Sequence, residues 1–478
     1  MNMPVVLSKK HRRPRSFKDC EPGLPYTEII NNGKRINLCN FNYHKKYVKI
    51  GIPFENDILH NKVLRKFPKL VKFYSRHIIN LPNTIEAESK NKEVEFINVQ
   101  NLIIGSGTAG LGVLSEIDRK ERTILISSDV ESNTNIEYPL PQINKDEFSK
   151  LLKNIIKENQ DRILEGILLG KFDEGIGFLT KNKILVIRAN KIFLTTGSRY
   201  IPPLFEGNDT PGLISKNLYL RHMKNEEDIV TIGNSDDILK ILSNLKKRRI
   251  LITNGILFLS KYYRELMNEL GIEIIKTSDL KIHRERNKLR ITTEEYEFYS
   301  NIAIYAIVKQ PKIDHSSNIG VPYSFDNYYH IYMPNHNIQG KFNENVYLAG
   351  GMRGISDEYT SFISGRATLN EKYLDELIYN LREYTYIYNY YYQKDNNKRN
   401  PSPYIYGNNG YVCECEDVTL KEIMKQVKRG FNKVEHIKRT TGLGTGECQG
   451  KFCTYSLGSF LNDNQLITFR TPLYRLVI

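Results

Sequence analysis

The sequence predicts an α/β fold with two nested Rossmann-like units and a small helical domain near the C-terminal end. Three observations predict it. An apolar run, Asn101 to Ile104, enters Gly105-Ser106-Gly107-Thr108-Ala109-Gly110 and then a helical pattern. A second apolar run, Ile229 to Ile232, also ends in glycine, Gly233. Four of the six cysteines fall within 41 positions, from Cys413 to Cys453.

The chain has 478 residues, more than one hydrophobic core usually spans, so several domains are expected. Residues 1–95 form an N-terminal segment of little pattern. Asn101 to Ile104 reads as a buried strand, followed by a helix over Thr108 to Arg119 with Leu111, Leu114 and Ile117 on one face. Arg122 to Ser127 reads as a second strand, giving the β-turn-α-β opening of a dinucleotide-binding fold. Lys145 to Asn159 is expected to be helical. Gly175 to Leu194 alternates as a small antiparallel sheet would, and Ile192 to Gly197 reads as a strand running into a turn. The first unit is thus placed at 96–227 and 310–392. An inserted, degenerate second unit is placed at 228–309, with strands at Ile229 and Arg249 and a helix over Ile238 to Lys246. Asn345 to Gly351 is another strand into glycine, expected to close the first sheet. Gln393 to Pro403 is polar and Pro-containing, so 393–406 is expected to be a linker. A cysteine domain at 407–460 and a tail at 461–478 complete the order.

Hydrophobic residues make up 40% and charged residues 26%, as in ordinary globular chains. No apolar run is long enough for a membrane span. The first ten residues run apolar to basic, the reverse of a secretory signal, so a cytoplasmic location is expected. The net charge is +15. Only Lys9 to Arg15 and Lys246 to Arg249 are dense basic clusters, and neither carries a nucleic-acid motif, so nucleic acid is not expected as a partner.

In the first glycine motif, Gly105 makes the turn, Gly107 admits a pyrophosphate, and Gly110 lets helix and strand pack closely. Thr108 and Ala109 open the helix whose N-terminus attracts the phosphates. An acid that bonds the ribose usually ends the second strand; here Ser127-Ser128 stand there and Asp129 is the nearest acid. Gly233-Asn234-Ser235-Asp236-Asp237-Ile238 lacks the later glycines and reads as a relic or a weak nucleotide lobe.

The cysteines are spaced Cys413-x-Cys415, 32 residues, then Cys448-x4-Cys453. Four thiolates satisfy the two irons of a 2Fe-2S cluster. Gly442, Gly444, Gly446 and Gly450 let backbone amides approach it. Zinc favours pairs two to four residues apart, so a zinc site ranks second and unliganded thiols third. Between the pairs, Thr419-x-x-Glu422 is a capping box, Leu420, Ile423, Met424 and Val427 form an apolar stripe, and Gly430 marks a helix end.

Cys413-Glu414-Cys415-Glu416-Asp417-Val418-Thr419 with Gly446-Glu447-Cys448-Gln449-Gly450-Lys451-Phe452-Cys453 resembles the bacterioferritin-associated-ferredoxin type of domain. It is most similar to the version ending the α subunits of dye-linked L-proline dehydrogenase, opine oxidase and hydrogen cyanide synthase, in the wider family of the sarcosine oxidase α subunit. Arg470 to Arg475 resembles the family's terminal tail. Thr195-Thr196-Gly197 resembles its "ATG" turn, and Ile201 to Gly212 its "PLPFPGNDLPGV" segment. Val346 to Gly354 resembles its last nucleotide-contacting strand, with Gly350-Gly351 where flavoenzymes often carry Gly-Asp. His11 to Phe17 resembles its "YHRPRG" start, which in some relatives begins a four-cysteine ferredoxin-like module. This chain keeps only Cys20 and Cys39 there, so no cluster is expected, and the basic run is read as a partner or phosphate contact.

The resemblance implies an α subunit of a heteromeric amine or amino-acid dehydrogenase. Its cofactors would be a 2Fe-2S cluster, an FAD, NAD or other adenine nucleotide, and FMN at a subunit interface. Substrate oxidation would occur in an FAD-containing β subunit, with further small subunits as additional partners. No constellation in this chain points to acid–base catalysis. Two other readings stand beside this one: a self-contained NAD(P)H-dependent FAD/2Fe-2S reductase, and a non-catalytic electron-transfer scaffold.

Overall fold

Strand β1 (Glu93–Ile104) carries its polarity along its length. Phe96 near its start is 62% exposed, whereas Leu102 and Ile103 are fully buried, so the strand runs from an open edge into the core. The computed structural model describes residues 6–8, 10–11, 13–31, 34–37, 39, 66–67, 92–130, 134–392, 399–461 and 465–474. Most of the N-terminal segment and residues 393–398 of the expected linker lie outside them.

After β1 the chain forms β2 (Thr123–Ser127), β3 (Ile163–Glu165), β4 (Ile167–Phe172), β5 (Gly175–Leu179) and β6 (Lys183–Leu194). Their order is β3-β2-β1-β6-β5-β4 in a seven-stranded sheet. The β3, β2, β1 and β6 neighbours are parallel, while β4, β5 and β6 form an antiparallel meander. Val346–Leu348 joins in parallel with the end of β6, pairing Val346 with Ile192, and so closes the first sheet. Helix α1 (Thr108–Glu116) follows the glycine turn. Helix α2 (Lys145–Glu158) is capped by Asn144, which accepts from the amides of Asp146 and Glu147, and buries Phe148, Leu152 and Ile155.

A second sheet contains β7 (Leu213–Ser215), β8 (Ile229–Gly233), β9 (Ile250–Thr253), β10 (Glu273–Lys276) and β11 (Ile302–Ala306), ordered β7-β11-β8-β9-β10 and all parallel. β7, β8, β9 and β11 are nearly all apolar because both faces are covered, whereas the edge strand β10 carries Glu273 and Lys276 and exposes Ile274. Helices α3 (Lys216–His222) and α4 (Asp236–Asn244) follow β7 and β8. β7 precedes the boundary expected at residue 228. Its three residues are too short a run to reveal a strand, yet Leu213 and Ile214 are fully buried beside β11.

Helices α5 (Ile313–Ile319) and α6 (Glu358–Ala367) return to the first unit. A Cβ on Gly112 would lie 2.2 Å from Phe362 O, and one on Gly365 2.1 Å from Ala109 O, so glycines set the close approach of α1 and α6. One hydrophobic core runs through both units, and a separate one fills the cysteine domain.

The described part of the linker, 399–406, is not a free tether. Tyr404 and Tyr406 are buried, and their backbones bond Leu204 at 2.7 and 2.9 Å. Beyond it come β12 (Tyr411–Cys413), β13 (Val418–Thr419) and helices α7 (Leu420–Lys428), α8 (Val434–Thr441) and α9 (Cys453–Leu457). The capping box of Thr419 and Glu422 is present. Gly430 and Gly442 follow α7 and α8 in the left-handed region. Met424 departs from the expected stripe and is 37% exposed.

Candidate cofactor cleft and cysteine site

Gly105 ends β1 with φ +111°, a conformation that carries the chain away from the strand and back over Thr195. A Cβ on Gly110 would strike Gly105 O at 2.0 Å, so this glycine serves packing between turn and helix. Gly107 differs, because a Cβ there would meet nothing within 4 Å. It faces an open cleft of 650 Å³.

Gly105, Gly107, Thr108, Ala109, Asp129, Thr196, Gly197 and Gly351 all line this cleft. Gly110 and Gly350 support it from behind. Gly350 N donates to Ser364 Oγ at 2.8 Å, and a Cβ on Gly350 would come 2.6 Å from Ala109 Cβ. Asp129 closes the β2 end of the cleft, but its carboxylate accepts from Arg221 on α3 at 2.8 Å. A ribose hydroxyl there would meet a carboxylate–guanidinium pair, a feature that sequence proximity does not reveal. Lys216, Arg221, Lys224, Lys309 and Lys312 add cationic side chains to the wall, suiting a phosphate-bearing ligand.

The second glycine motif leads to a filled site. Asp236 and Asp237 lie in the first turn of α4, where they add negative charge beside the helix end that would receive a nucleotide's phosphates, and both are fully buried. Asp236 accepts from Ser260 N at 2.8 Å, and burial pushes its carboxyl up to about 8. Asp237 accepts from Lys216 Nζ and Tyr200 OH, each at 2.7 Å. Burial raises its pKa, but Lys216, Lys309 and Lys240 outweigh burial and hold it well below the usual range. Burial in turn draws Lys216 down to about 8, against the pull of Asp237. The first turn of this helix is therefore committed to internal contacts with Ser260, Lys216 and Tyr200.

Cys413 ends β12, Cys415 follows in the turn, Cys448 lies in the glycine-rich loop, and Cys453 opens α9. All four are buried, with at most 5% exposure. The four thiols interact as one cluster, Cys415 with Cys448 and Cys413, and Cys453 with the other three. The Cys448 contact and burial push Cys415 up, while hydrogen bonding from Cys415 draws Cys448 down to about 7, aided by Lys451. Four thiols this close cannot all ionise without a cationic centre, and four thiolates match the needs of two irons. A Cβ on Gly446 would lie 2.3 Å from Cys415 Cβ, so the loop needs glycine to wrap the thiols. Donor set and cradle both fit a 2Fe-2S cluster.

Two devices fasten this domain to the rest. Arg199, buried, makes a bidentate pair with Asp314 at 2.9 and 3.0 Å, bonds Glu21 at 2.6 Å, and donates to Lys451 O at 3.2 Å. The second is the basic run near the start, expected to contact a partner or phosphate. Arg13 pairs with Asp209 at 2.7 Å. Arg15, fully buried, pairs with Asp209 at 3.4 Å and Asp417 at 2.6 Å, and donates to Glu414 O at 2.5 Å. The run is thus an internal clamp on the cysteine domain, formed with acids that lie far away in sequence.

Residues 411–462 match the BFD-like [2Fe-2S] binding domain. That domain indicates a 2Fe-2S cluster. No curated protein sequence matches the chain significantly. Among solved structures, the chain is similar to an L-proline dehydrogenase from P. horikoshii, with 19% identity, 81% of this chain and 80% of that chain covered, and a TM-score of 0.57. Thioredoxin reductases are also found. The T. acidophilum enzyme has 15% identity, coverage of 59% and 99%, and a TM-score of 0.43. The Lactococcus lactis enzyme has 15% identity, coverage of 58% and 100%, and a TM-score of 0.45. The chain shares a mixed α/β fold with that proline dehydrogenase, and its C-terminal part is a BFD-like 2Fe-2S domain. Among the described residues, no helix is long and apolar enough to cross a membrane.

Proposed function

We propose that this chain is the α subunit of a heteromeric flavin-dependent amine or amino-acid dehydrogenase of the sarcosine, proline or opine type. In this reading it binds an adenine nucleotide and relays electrons. The observation that carries the reading is the set of four buried cysteines in a BFD-like domain fastened to the unit that holds the glycine-lined cleft. Cys413, Cys415, Cys448 and Cys453 hold the two irons, two thiolates to each. A 2Fe-2S cluster exchanges single electrons, which suits a chain placed between a two-electron donor and a one-electron acceptor.

The protein's own residues set the environment. Amides at the start of α1 receive the pyrophosphate of FAD, NAD or another adenine nucleotide, with Gly107 leaving it room. Asp129, Thr196, Gly197, Gly350 and Gly351 frame the remainder. Lys451 places a buried cation beside the thiolates, its Nζ donating to Leu473 O at 2.6 Å and Cys448 O at 3.3 Å. Substrate oxidation belongs to an FAD-containing β subunit, with FMN at the contact. A self-contained NAD(P)H reductase would need the second lobe to bind its nucleotide, and Asp236 and Asp237 oppose that.

The test is the chain purified without oxygen. It is expected to hold about two irons and two labile sulfides, and a Cys413→Ser variant to lose their absorption. It should leave NADH unoxidised in the absence of the partner subunit. Zinc in place of iron and sulfide, or rapid NADH oxidation by the chain alone, overturns the reading.

A further inference from the structure

Cys20, Cys39 and His222 lie outside the cysteine domain, yet their ligand atoms are all within 4.8 Å of one another. Cys39 Sγ is 3.3 Å from His222 Nε2. Cys39 is 1% exposed, and Cys20 lines the wall of the dinucleotide cleft. The two sulfurs stand in bonding contact, with a Cα–Cα separation of 5.4 Å.

We propose that Cys20, Cys39 and His222, with the cysteines reduced, bind one zinc-like divalent cation at the edge of the cleft. A disulfide and the ion are mutually exclusive occupants of this pair. The donor chemistry favours the ion. A disulfide carries no charge and its sulfur accepts hydrogen bonds weakly, so it gives a neighbouring imidazole little to do. Two thiolates and a neutral imidazole are a soft N/S set that suits zinc. Two Zn–S bonds of ~2.3 Å at a tetrahedral angle put the sulfurs about 3.8 Å apart, which side-chain rotation allows at this backbone spacing. Three protein donors leave a fourth position for water or a ligand in the cleft.

The surrounding frame supports the geometry. Asp19 Oδ1 accepts from Cys20 N at 2.7 Å, and its Oδ2 accepts from Asn217 Nδ2 at 3.3 Å. Asn217 and His222 both belong to α3, so one carboxylate ties the Cys20 backbone to the helix that supplies the imidazole. Outer contacts of this type orient ligands in zinc sites. The ion would staple the N-terminal segment to the second nucleotide unit.

The test uses the full chain, purified anaerobically with a thiol reductant and desalted into metal-free buffer. Elemental analysis is expected to find about one zinc per chain in addition to the cluster iron. His222→Ala and Cys39→Ser should each lose that zinc while keeping iron and sulfide, which also shows that they fold. Co²⁺ added to chelator-treated protein should give the intense visible bands of tetrahedral thiolate ligation, absent in His222→Ala. Three results overturn the proposal: a reduced parent chain that takes up neither zinc nor cobalt, zinc that survives both substitutions, or a Cys20–Cys39 disulfide that persists under the reductant.

Discussion

The imidazole of His315 is buried on α5 and bonds Tyr474 OH through Nε2 at 2.8 Å. Burial pushes its pKa down to about 4, with Lys312 and Arg199 adding to burial and Asp314 opposing it. An unfolded histidine titrates near ~6.5. Between that value and about 4, the unfolded chain binds a proton that the folded chain refuses. Stability is therefore fully present above ~6.5 and falls as the pH drops towards the folded value. At pH 5.5 the loss from this residue is on the order of 1 kcal/mol relative to neutral pH. Urea unfolding at pH 7.5 and 5.5 checks it, and His315→Gln should lose correspondingly less over the same interval. An unchanged loss would show that the acid sensitivity lies elsewhere. Single residues also mark the limit of legibility. That Cys413, Cys415, Cys448 and Cys453 belong to one buried cluster was readable, because their spacing keeps them within one short stretch of chain. The pairing of Asp129 with Arg221 was not, because those residues are 92 positions apart. The approach of His222 to Cys39 was hidden for the same reason, since the two are 183 positions apart.

At the scale of elements, strand-turn-helix spacing was legible and short or polar segments were not. β1, α1, α2, β8 and the capped helix α7 announce themselves through periodicity and caps. β7 escaped as a three-residue run. Residues 399–406 read as a linker because Pro, Ser and Asn dominate, yet Tyr404 and Tyr406 bury themselves. The turn before α1 makes a sharper test of this logic. Gly107 has φ −63° and empty space where a Cβ would go, so alanine is conformationally acceptable there. Gly107→Ala should unfold within about 0.5 kcal/mol of the parent. Its added methyl stands where a pyrophosphate needs room, so affinity for the adenine nucleotide should fall at least about tenfold, or ~1.4 kcal/mol. Gly110→Ala should behave oppositely, losing about 1–3 kcal/mol of stability through collision with Gly105 O. Thermal unfolding, with titration of FAD and NAD in turn, separates the two. If Gly107→Ala binds normally, the ligand does not pass over this turn.

Across the whole molecule, what joins the parts is electrostatic and long-range, the kind of information a linear reading holds least well. The basic N-terminal run gave no sign that Asp209 and Asp417 neutralise it. Arg199 is the clearest case, because it stands where the N-terminal segment, α5 and the cysteine domain converge. It bonds Glu21, Asp314 and Lys451 O, and Tyr455 OH donates to Asp314 Oδ1 at 2.8 Å. Burial alone would raise the Asp314 carboxyl, yet Arg199 leads the groups that hold it well below its usual range. Removing the guanidinium would strip two buried carboxylates of their main cation, leaving Glu21 with Lys312 and Asp314 with the Tyr455 hydroxyl, a loss of about 3 kcal/mol. Because the pairs cross between parts of the structure, the loss should appear as separation rather than uniform softening. Arg199→Met is thus expected to expose the 411–462 region to protease and speed loss of the cluster's absorption, with the first sheet still folded by hydrogen exchange. Adding Asp314→Asn should restore part of the resistance, since it removes one of the orphaned charges. Equal protease resistance in parent and Arg199→Met would mean that apolar packing of Tyr455 and Phe452, rather than the buried ion pairs, holds the cysteine domain in place.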